Sequence, residues 1–455
     1  MNNKEQLGSR LGFILLSAGC AIGLGNVWKF PYITGQNGGG VFLILYIIML
    51  VLFGIPILTM EFSIGRASQR APVKMYDDLE PKGSKWHLHG VFCMIGCIIL
   101  MMYYGVVAGW IIRYFIKFLA GDFVSASTKE ITAEFGTMLA SPAINVGYML
   151  IVVLIGFSVC AIGIQKGLER ITKYMMLALL AIMVILAVNS FFMEGGKEGL
   201  KFFLLPDWKR TSEIGFANVL IDALNQAFFT LSIGMGSMAV LGSYMNKERS
   251  LFGESITIAA LDTFVAVTAG LIMFPACFAY GIDVDSGPNL LFITMPNVFA
   301  NMGLGRLWGS LFFMFMSFAA LSTSFAVYEN VLANFIEVTG MKRRMACLVC
   351  GIGMFILSIP CALGFNVWSD FKPFGENTGI LDLEDFAVSN IILPLGAIIF
   401  ALFCTLRYGW GWKNFLTEAN SGTGLKFPSF LKPYCTFFLP LILIIIFITG
   451  LITVF

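Results

Sequence analysis

Asp262 interrupts an apolar run, ITIAALDTFVAV. A carboxylate at membrane depth costs several kcal/mol unless it is paired or coordinates something, so a functional role is the stronger reading. Two glycine pairs stand in equally apolar surroundings: Gly23 and Gly25 in CAIGLGN, and Gly234 and Gly236 in FFTLSIGMGS. Glycines spaced by two do not share one helix face, so small-residue packing explains them less well than local unwinding. An unwound stretch strands backbone carbonyls and amides, which lipid tolerates only where the break lines a site. Freed carbonyls can hold a cation, and the N-terminus of a half-helix can face an anion. Asn26, Asn225, Thr230 and Ser232 add neutral oxygens beside the breaks. That set suits a hard monovalent cation and a zwitterion together. Ser322, Thr323 and Ser324, in AALSTSFAVYEN, could join such a site or simply bond back to carbonyls one turn earlier. Glu61, in LTMEFSIGR, reads as a structural carboxylate receiving freed backbone amides.

The elements that must position these groups are membrane helices. The chain is 58% hydrophobic and 12% charged, against about 25% charged in soluble proteins, and its mean hydropathy is +0.84. A spanning helix needs about 20 apolar residues. That rule gives eleven segments: 11–36, 40–68, 87–118, 142–161, 168–192, 215–245, 252–281, 307–337, 343–362, 385–408 and 430–454. The fold class is therefore an all-α polytopic membrane protein, one domain over 1–455. The breaks in segments one and six, five apart, suggest two halves related as an inverted repeat, about 11–192 and 215–408, with an extra helix at about 430–454. Most of the 29 lysines and arginines fall in loops that place the N-terminus in the cytoplasm and the C-terminus outside. No cleavable signal peptide is read at the start. The loop at 281–306 is expected to fold back onto the outer face. The ten cysteines read as packing thiols, and no metal role is expected of His87 and His89. A net charge of +2 without a basic run gives no reason to expect nucleic acid.

The stretch RLGFILLSAGCAIGLGNVWKFPYITGQNGGG closely resembles the first helix of the neurotransmitter:sodium symporters, the LeuT-fold family. EFSIGR, MMYYGVVAGW, QAFFTLSIGMG and ALSTSFA resemble its second, third, sixth and eighth helices. Eleven helices resemble the bacterial branch, whose amino-acid transporters include one for tyrosine. The resemblance implies a 5+5 inverted repeat plus one helix, with helices 1 and 6 unwound mid-membrane, in a bacterial cell membrane. It implies sodium as the coupling ion at two sites and no other cofactor. The first site would use Ala21, Asn26, Thr230, Asp262 and the substrate carboxylate; the second Gly19, Ile22, Ala319, Ser322 and Thr323. The substrate carboxylate would meet the Gly25 amide and Tyr104, and its ammonium carbonyls at Ala21, Phe229, Thr230 and Ser232. Leu100, Tyr104, Phe229, Ser232, Met235, Thr323 and Val327 would form the side-chain pocket, with Phe229 and Tyr104 as its lid. Lys29 and Asp385 would close the outer mouth, and Lys4 and Glu337 the inner one, near Ser243 and Tyr244.

Four departures matter. Lys29 replaces the usual arginine and loses the planar fork. Leu7 stands where many members carry tryptophan. Met235 replaces a pocket aromatic of some members with a more pliable wall. Asp262 stands where asparagine is common, so a fixed charge should replace the chloride that animal members need. The resulting expectation is a chloride-independent sodium:amino-acid symporter for a large hydrophobic or aromatic substrate, tyrosine first, then tryptophan, phenylalanine or leucine. No protein partner is implied beyond the bilayer. The rivals are a transporter-like sensor, a channel, which would need a continuous pore, and an enzyme, for which no Ser/His/Asp set, H-E-x-x-H motif or phosphate loop is present.

Overall fold

The computed structural model describes residues 7–193, 195–281, 289–376 and 378–452. Among these, nine unbroken helices are long and apolar enough to cross a membrane: α2 Gly40–Ser68, α3 His87–Ala120, α4 Pro142–Ile162, α5 Ile164–Phe191, α7 Leu251–Ala279, α8 Gly305–Thr339, α9 Arg343–Leu363, α10 Ile380–Thr405 and α11 Ser429–Leu451. A tenth, α1, is a bent pair, Arg10–Ala21 and Gly25–Gln36, with 53° between its halves. The sixth segment is two shorter helices, Phe216–Thr230 and Ser237–Ser243. We label them together α6. A count of eleven rests on reading them as one interrupted span.

The helices pack as two groups. α2 lies against both halves of α6 and against α7, while α3, α4, α8 and α9 pack on one another. The first half of α1 fits between α5, α7 and α8. Backbone contact brings the groups' helices close. A Cβ on Gly65 of α2 would lie 1.9 Å from the Ala239 carbonyl of α6.

Five prolines leave the same mark, which Pro275 of α7 and Pro360 of α9 do not. Wide π-turns cover Gly25–Lys29, Leu50–Gly54, Leu290–Thr294, Ala387–Ile392 and Tyr434–Phe438. Each ends two residues before a proline: Pro31, Pro56, Pro296, Pro394 and Pro440. Proline lacks an N–H and crowds the preceding turn, and widening that turn relieves the clash without ending the helix. One carbonyl so displaced, that of Leu52, accepts the Tyr434 hydroxyl at 2.8 Å.

The loop after α7 folds back as expected over its described part. Leu290–Asn301 is helical, and Phe292 packs its ring against Trp110, Tyr114 and Phe135. The ten cysteines are buried thiols. The histidines hold the loop before α3: His87 pairs with Glu80 at 2.7 Å, and His89 shares a 2.5 Å hydrogen bond with Tyr76. Partial burial would raise the Glu80 carboxyl, but hydrogen bonds from His87 and Ser84 outweigh it and hold the group below the usual carboxylate range.

Candidate functional site

Both glycine pairs fall at helix breaks. α1 stops at Ala21, and Ile22 leaves the helical region with ψ 91°. Residues 231–236 of α6 are non-helical, with Gly234 at φ +96° and Gly236 at φ +74°. These are left-handed values that favour glycine. Gly234 is also fixed by contact, since a Cβ there would lie 2.4 Å from the Leu393 carbonyl.

Backbone groups freed in a membrane interior must find partners, and here side chains supply them. The carbonyls of Gly19 and Ile22 accept the Thr323 hydroxyl at 3.1 and 3.3 Å. The carbonyl of Cys20 accepts from Ser232, and that of Gly25 from the Gln226 amide at 2.8 Å. Met235 offers its carbonyl to Cys97 and Asn330. On the donor side, Leu24 N–H points to the Tyr104 hydroxyl and Gly23 N–H to Asn26 Oδ1, both at 3.2 Å. Glu61, wholly buried, accepts the amides of Gly234 at 2.9 Å and Met238 at 3.1 Å. It occupies the structural position read from the sequence.

Asp262 is fully buried behind these breaks. Its carboxylate accepts from Asn26 Nδ2 at 2.8 Å, from Thr230 Oγ1 at 3.0 and 3.2 Å, and from Tyr46 at 3.3 Å. All three donors are neutral, and no ion pair to Asp262 occurs among the described residues. A buried carboxylate in this setting attracts a cation strongly. Gly19, Ile22, Ala319, Ser322 and Thr323 converge at a second place, where Ser322 donates to the Ala319 carbonyl at 3.0 Å beside the Thr323 bonds.

Between the breaks lies a cavity of about 20 Å³ lined by Ala21, Gly23, Leu24, Gly25, Leu100, Tyr104, Phe229, Ser232, Met235, Thr323, Val388 and Leu393. It has room for about one water. A second cavity, about 220 Å³, is lined by Trp28, Lys29, Tyr32, Tyr103, Asp382 and Asp385 and shares Leu24, Tyr104 and Phe229 with the first. Those three residues are therefore the partition between the cavities. Lys29 Nζ lies 3.3 Å from Asp385, donates to Ser389, and sits 3.9 Å above the Phe229 ring. Asp385 also receives the Tyr103 hydroxyl at 2.9 Å.

One expected position needs correction. Val327 is buried but does not line the small cavity; Val388 and Leu393 of α10 stand there. The Thr230 side chain points to Asp262, as its expected place beside that carboxylate requires. At the opposite end, Lys4 lies outside the described residues. Glu337 receives the Ala71 amide at 2.8 Å. Tyr244 donates to Glu329 at 2.9 Å, and Glu329 is gripped by both terminal guanidinium nitrogens of Arg343.

Several of these residues escaped the sequence reading. Glu329 had a signal, a carboxylate inside AAL…YEN, that was not taken up. Tyr46 and Gln226 are ordinary-looking polar residues in apolar helices, and Val388 and Leu393 carry no signal at all. Glu169 of α5 also went unread. It accepts Gly8 N–H at 2.7 Å and the Ser9 hydroxyl at 2.9 Å, tying down the start of α1.

The chain matches the sodium:neurotransmitter symporter family over residues 4–134 and 122–455. It is similar to an uncharacterized sodium-dependent transporter of Haemophilus influenzae, 34% identical over 465 residues and covering 99% of each chain. It is likewise similar to the uncharacterized sodium-dependent transporter YhdH of Bacillus subtilis, 33% identical over 445 residues and covering 97% of each. Among solved structures it resembles MhsT in complex with L-phenylalanine, with a TM-score of 0.89, 35% identity, and coverage of 98% of this chain and 100% of that one. With the broken first and sixth segments and the all-helical LeuT-type architecture, these likenesses mean that the chain belongs to the sodium:neurotransmitter symporter family, multi-pass membrane transporters and not enzymes.

Proposed function

We propose that the protein is a sodium-coupled amino-acid symporter that imports a large hydrophobic or aromatic amino acid across a bacterial cell membrane, independently of chloride. The observation that carries this reading is the buried Asp262 carboxylate, held by neutral donors only next to the cavity between the two breaks.

One sodium would bind among Asp262, Asn26, Thr230 and the Ala21 carbonyl, completed by the substrate carboxylate. A second would bind among Gly19, Ile22, Ala319, Ser322 and Thr323. Sharing the carboxylate makes sodium and substrate raise each other's affinity, a coupling that is reciprocal. The Gly25 amide and Tyr104 would orient the carboxylate, with carbonyls at Ala21, Phe229, Thr230 and Ser232 around the ammonium. Leu100, Met235, Val388 and Leu393 would meet the side chain. The closed cavity admits such a ligand only when Phe229 and Tyr104 part. The aromatic preference draws support from the relative MhsT, whose crystal structure holds L-phenylalanine. Tyrosine is our first candidate, then tryptophan, phenylalanine or leucine.

Transport then follows by alternating access. The Lys29–Asp385 side faces outward and the Tyr244–Glu329 side the cytoplasm, with the N-terminus inside and the C-terminus outside. Halves of about 11–192 and 215–408 form the inverted repeat. α1, α2, α6 and α7 move against α3, α4, α8 and α9.

The test is uptake of labelled tyrosine into proteoliposomes under an inward sodium gradient, with potassium and choline controls. Sodium-driven accumulation supports symport. Accumulation of a different amino acid discards the substrate assignment alone, and sodium-dependent binding without uptake of any amino acid replaces symport with sensing.

A further inference from the structure

A groove of about 300 Å³ runs along the outside of the bundle between α4 and α9. Leu150, Val153, Leu154, Phe157, Ser158 and Ala161 form one wall. Arg344, Cys347, Leu348, Gly351, Ile352 and Phe355 form the other. From Arg344 to Phe355 the groove extends about 16 Å at 1.5 Å per residue. The hydrocarbon core is about 30 Å thick, so the groove spans one leaflet. Its floor is firm, because the Phe157 ring stacks on Tyr328 at 4.6 Å.

The lining is apolar except at one end. Arg344, the sole charged side chain lining the groove, stands there exposed and without a hydrogen bond or ion pair among the described residues. Its neighbour Arg343 is engaged by Glu329 and by the Cys160 carbonyl, so the two arginines are not equivalent. Lys342, also exposed, adds a second positive charge at the same level. The distribution of lysine and arginine puts this end on the cytoplasmic side.

We propose that this groove is a binding site for an anionic phospholipid of the inner leaflet, its acyl chain along Leu150–Ala161 and Gly351 and its phosphate on Arg344. The occupant follows from the combination of leaflet length, apolar walls and one unpaired cation at headgroup depth; basic pockets between membrane helices take anionic headgroups. A water-soluble anion would leave the apolar walls uncovered, and a zwitterionic lipid would bring its own cation beside the phosphate and leave the positive charge of Arg344 and Lys342 unbalanced. The site does not depend on which amino acid is transported.

Native mass spectrometry of the purified protein in detergent, titrated with phosphatidylglycerol or phosphatidylcholine, tests this. Wild type should retain phosphatidylglycerol at least fivefold better. Arg344→Gln should bring the ratio near one, and Arg344→Lys should keep most of it. Gly351→Leu should fill the groove and lower retention of both lipids. Its Cβ would meet Phe157 at an ordinary 3.5 Å, so the fold should stand, as a monodisperse elution profile would verify. An unchanged ratio in Arg344→Gln, no preference in wild type, or no effect of Gly351→Leu would each overturn the proposal. So would a dimer that persists after delipidation and is broken by Gly351→Leu, which would assign the groove to a second copy.

Discussion

Replacing Asp262 by asparagine keeps the side chain's shape and removes its charge. The carboxylate is fully buried, so its pull on a bound cation is weakly screened. At an effective dielectric of about 20, two unit charges about 4 Å apart attract by about 4 kcal/mol. The asparagine dipole recovers part of this, leaving a loss of about 2–3 kcal/mol, or about 30- to 150-fold in sodium affinity. The unliganded protein feels two opposing terms, relief of a buried charge without an ion partner and loss of an acceptor oxygen facing Asn26, Thr230 and Tyr46, so its own melting temperature should move little. Sodium affinity and intrinsic stability separate in one thermal-shift experiment with and without sodium. If wild type is measured at 100 times its dissociation constant, sodium stabilises it by about 2.7 kcal/mol, and a 100-fold weaker variant by about 0.4 kcal/mol. Uptake by Asp262→Asn should then fail in chloride-free medium or acquire a chloride requirement. A variant with wild-type uptake in gluconate and half-saturating sodium within threefold of wild type would refute the assignment of Asp262 to the ion site.

Glu61→Ala leaves the Gly234 and Met238 amides without an acceptor, at about 1–3 kcal/mol each. The melting temperature should fall by several degrees, less so in Glu61→Gln; an unshifted Glu61→Ala would contradict the structural role. Lys29→Met removes a partly buried ion pair and the contact over Phe229, together about 1–2 kcal/mol. Equilibrium binding should show substrate affinity falling about 5- to 30-fold, with Lys29→Arg close to wild type. Leu393→Ala enlarges the cavity, and Val327→Ala does not. A competition panel should shift toward tryptophan only in the first, and equal shifts would restore Val327 to the pocket wall.

Much of the site was legible because membrane interiors penalise polarity. Asp262 and the glycine pairs stood out against apolar surroundings, and both breaks formed where they were read. Glu61 was legible for the same reason, as an acceptor for the amides that unwinding frees. Hydroxyls such as Thr323 were ambiguous in sequence, because back-bonding and site-lining use the same residues; only the meeting of α8 with the Gly19 and Ile22 carbonyls separates them. Val388 and Leu393 were invisible, since apolar residues that line a cavity look like apolar residues that fill a core. Val327 was misplaced by the same ambiguity. The sixth segment falls short of the usual span criterion because its break divides the apolar run that the criterion measures.

Lys29 is the common member of two contacts, one to Asp385 and one to the face of Phe229. A single ammonium cannot follow the Phe229 ring outward and hold its place between Asp385 and Ser389. The Lys29–Asp385 pair and the Phe229 ring are thus mechanically ganged, and the pair reports on the bulk beneath the ring. Under the transport reading, an amino acid small enough to let Phe229 lie flat is one the protein can close over. A bulkier one that still satisfies Tyr104 and the shared sodium would prop the ring, part the ion pair and stay bound in a protein that cannot cycle. Discrimination between cargo and blocker would then be a matter of ångströms at one ring, and affinity alone would not tell the two apart.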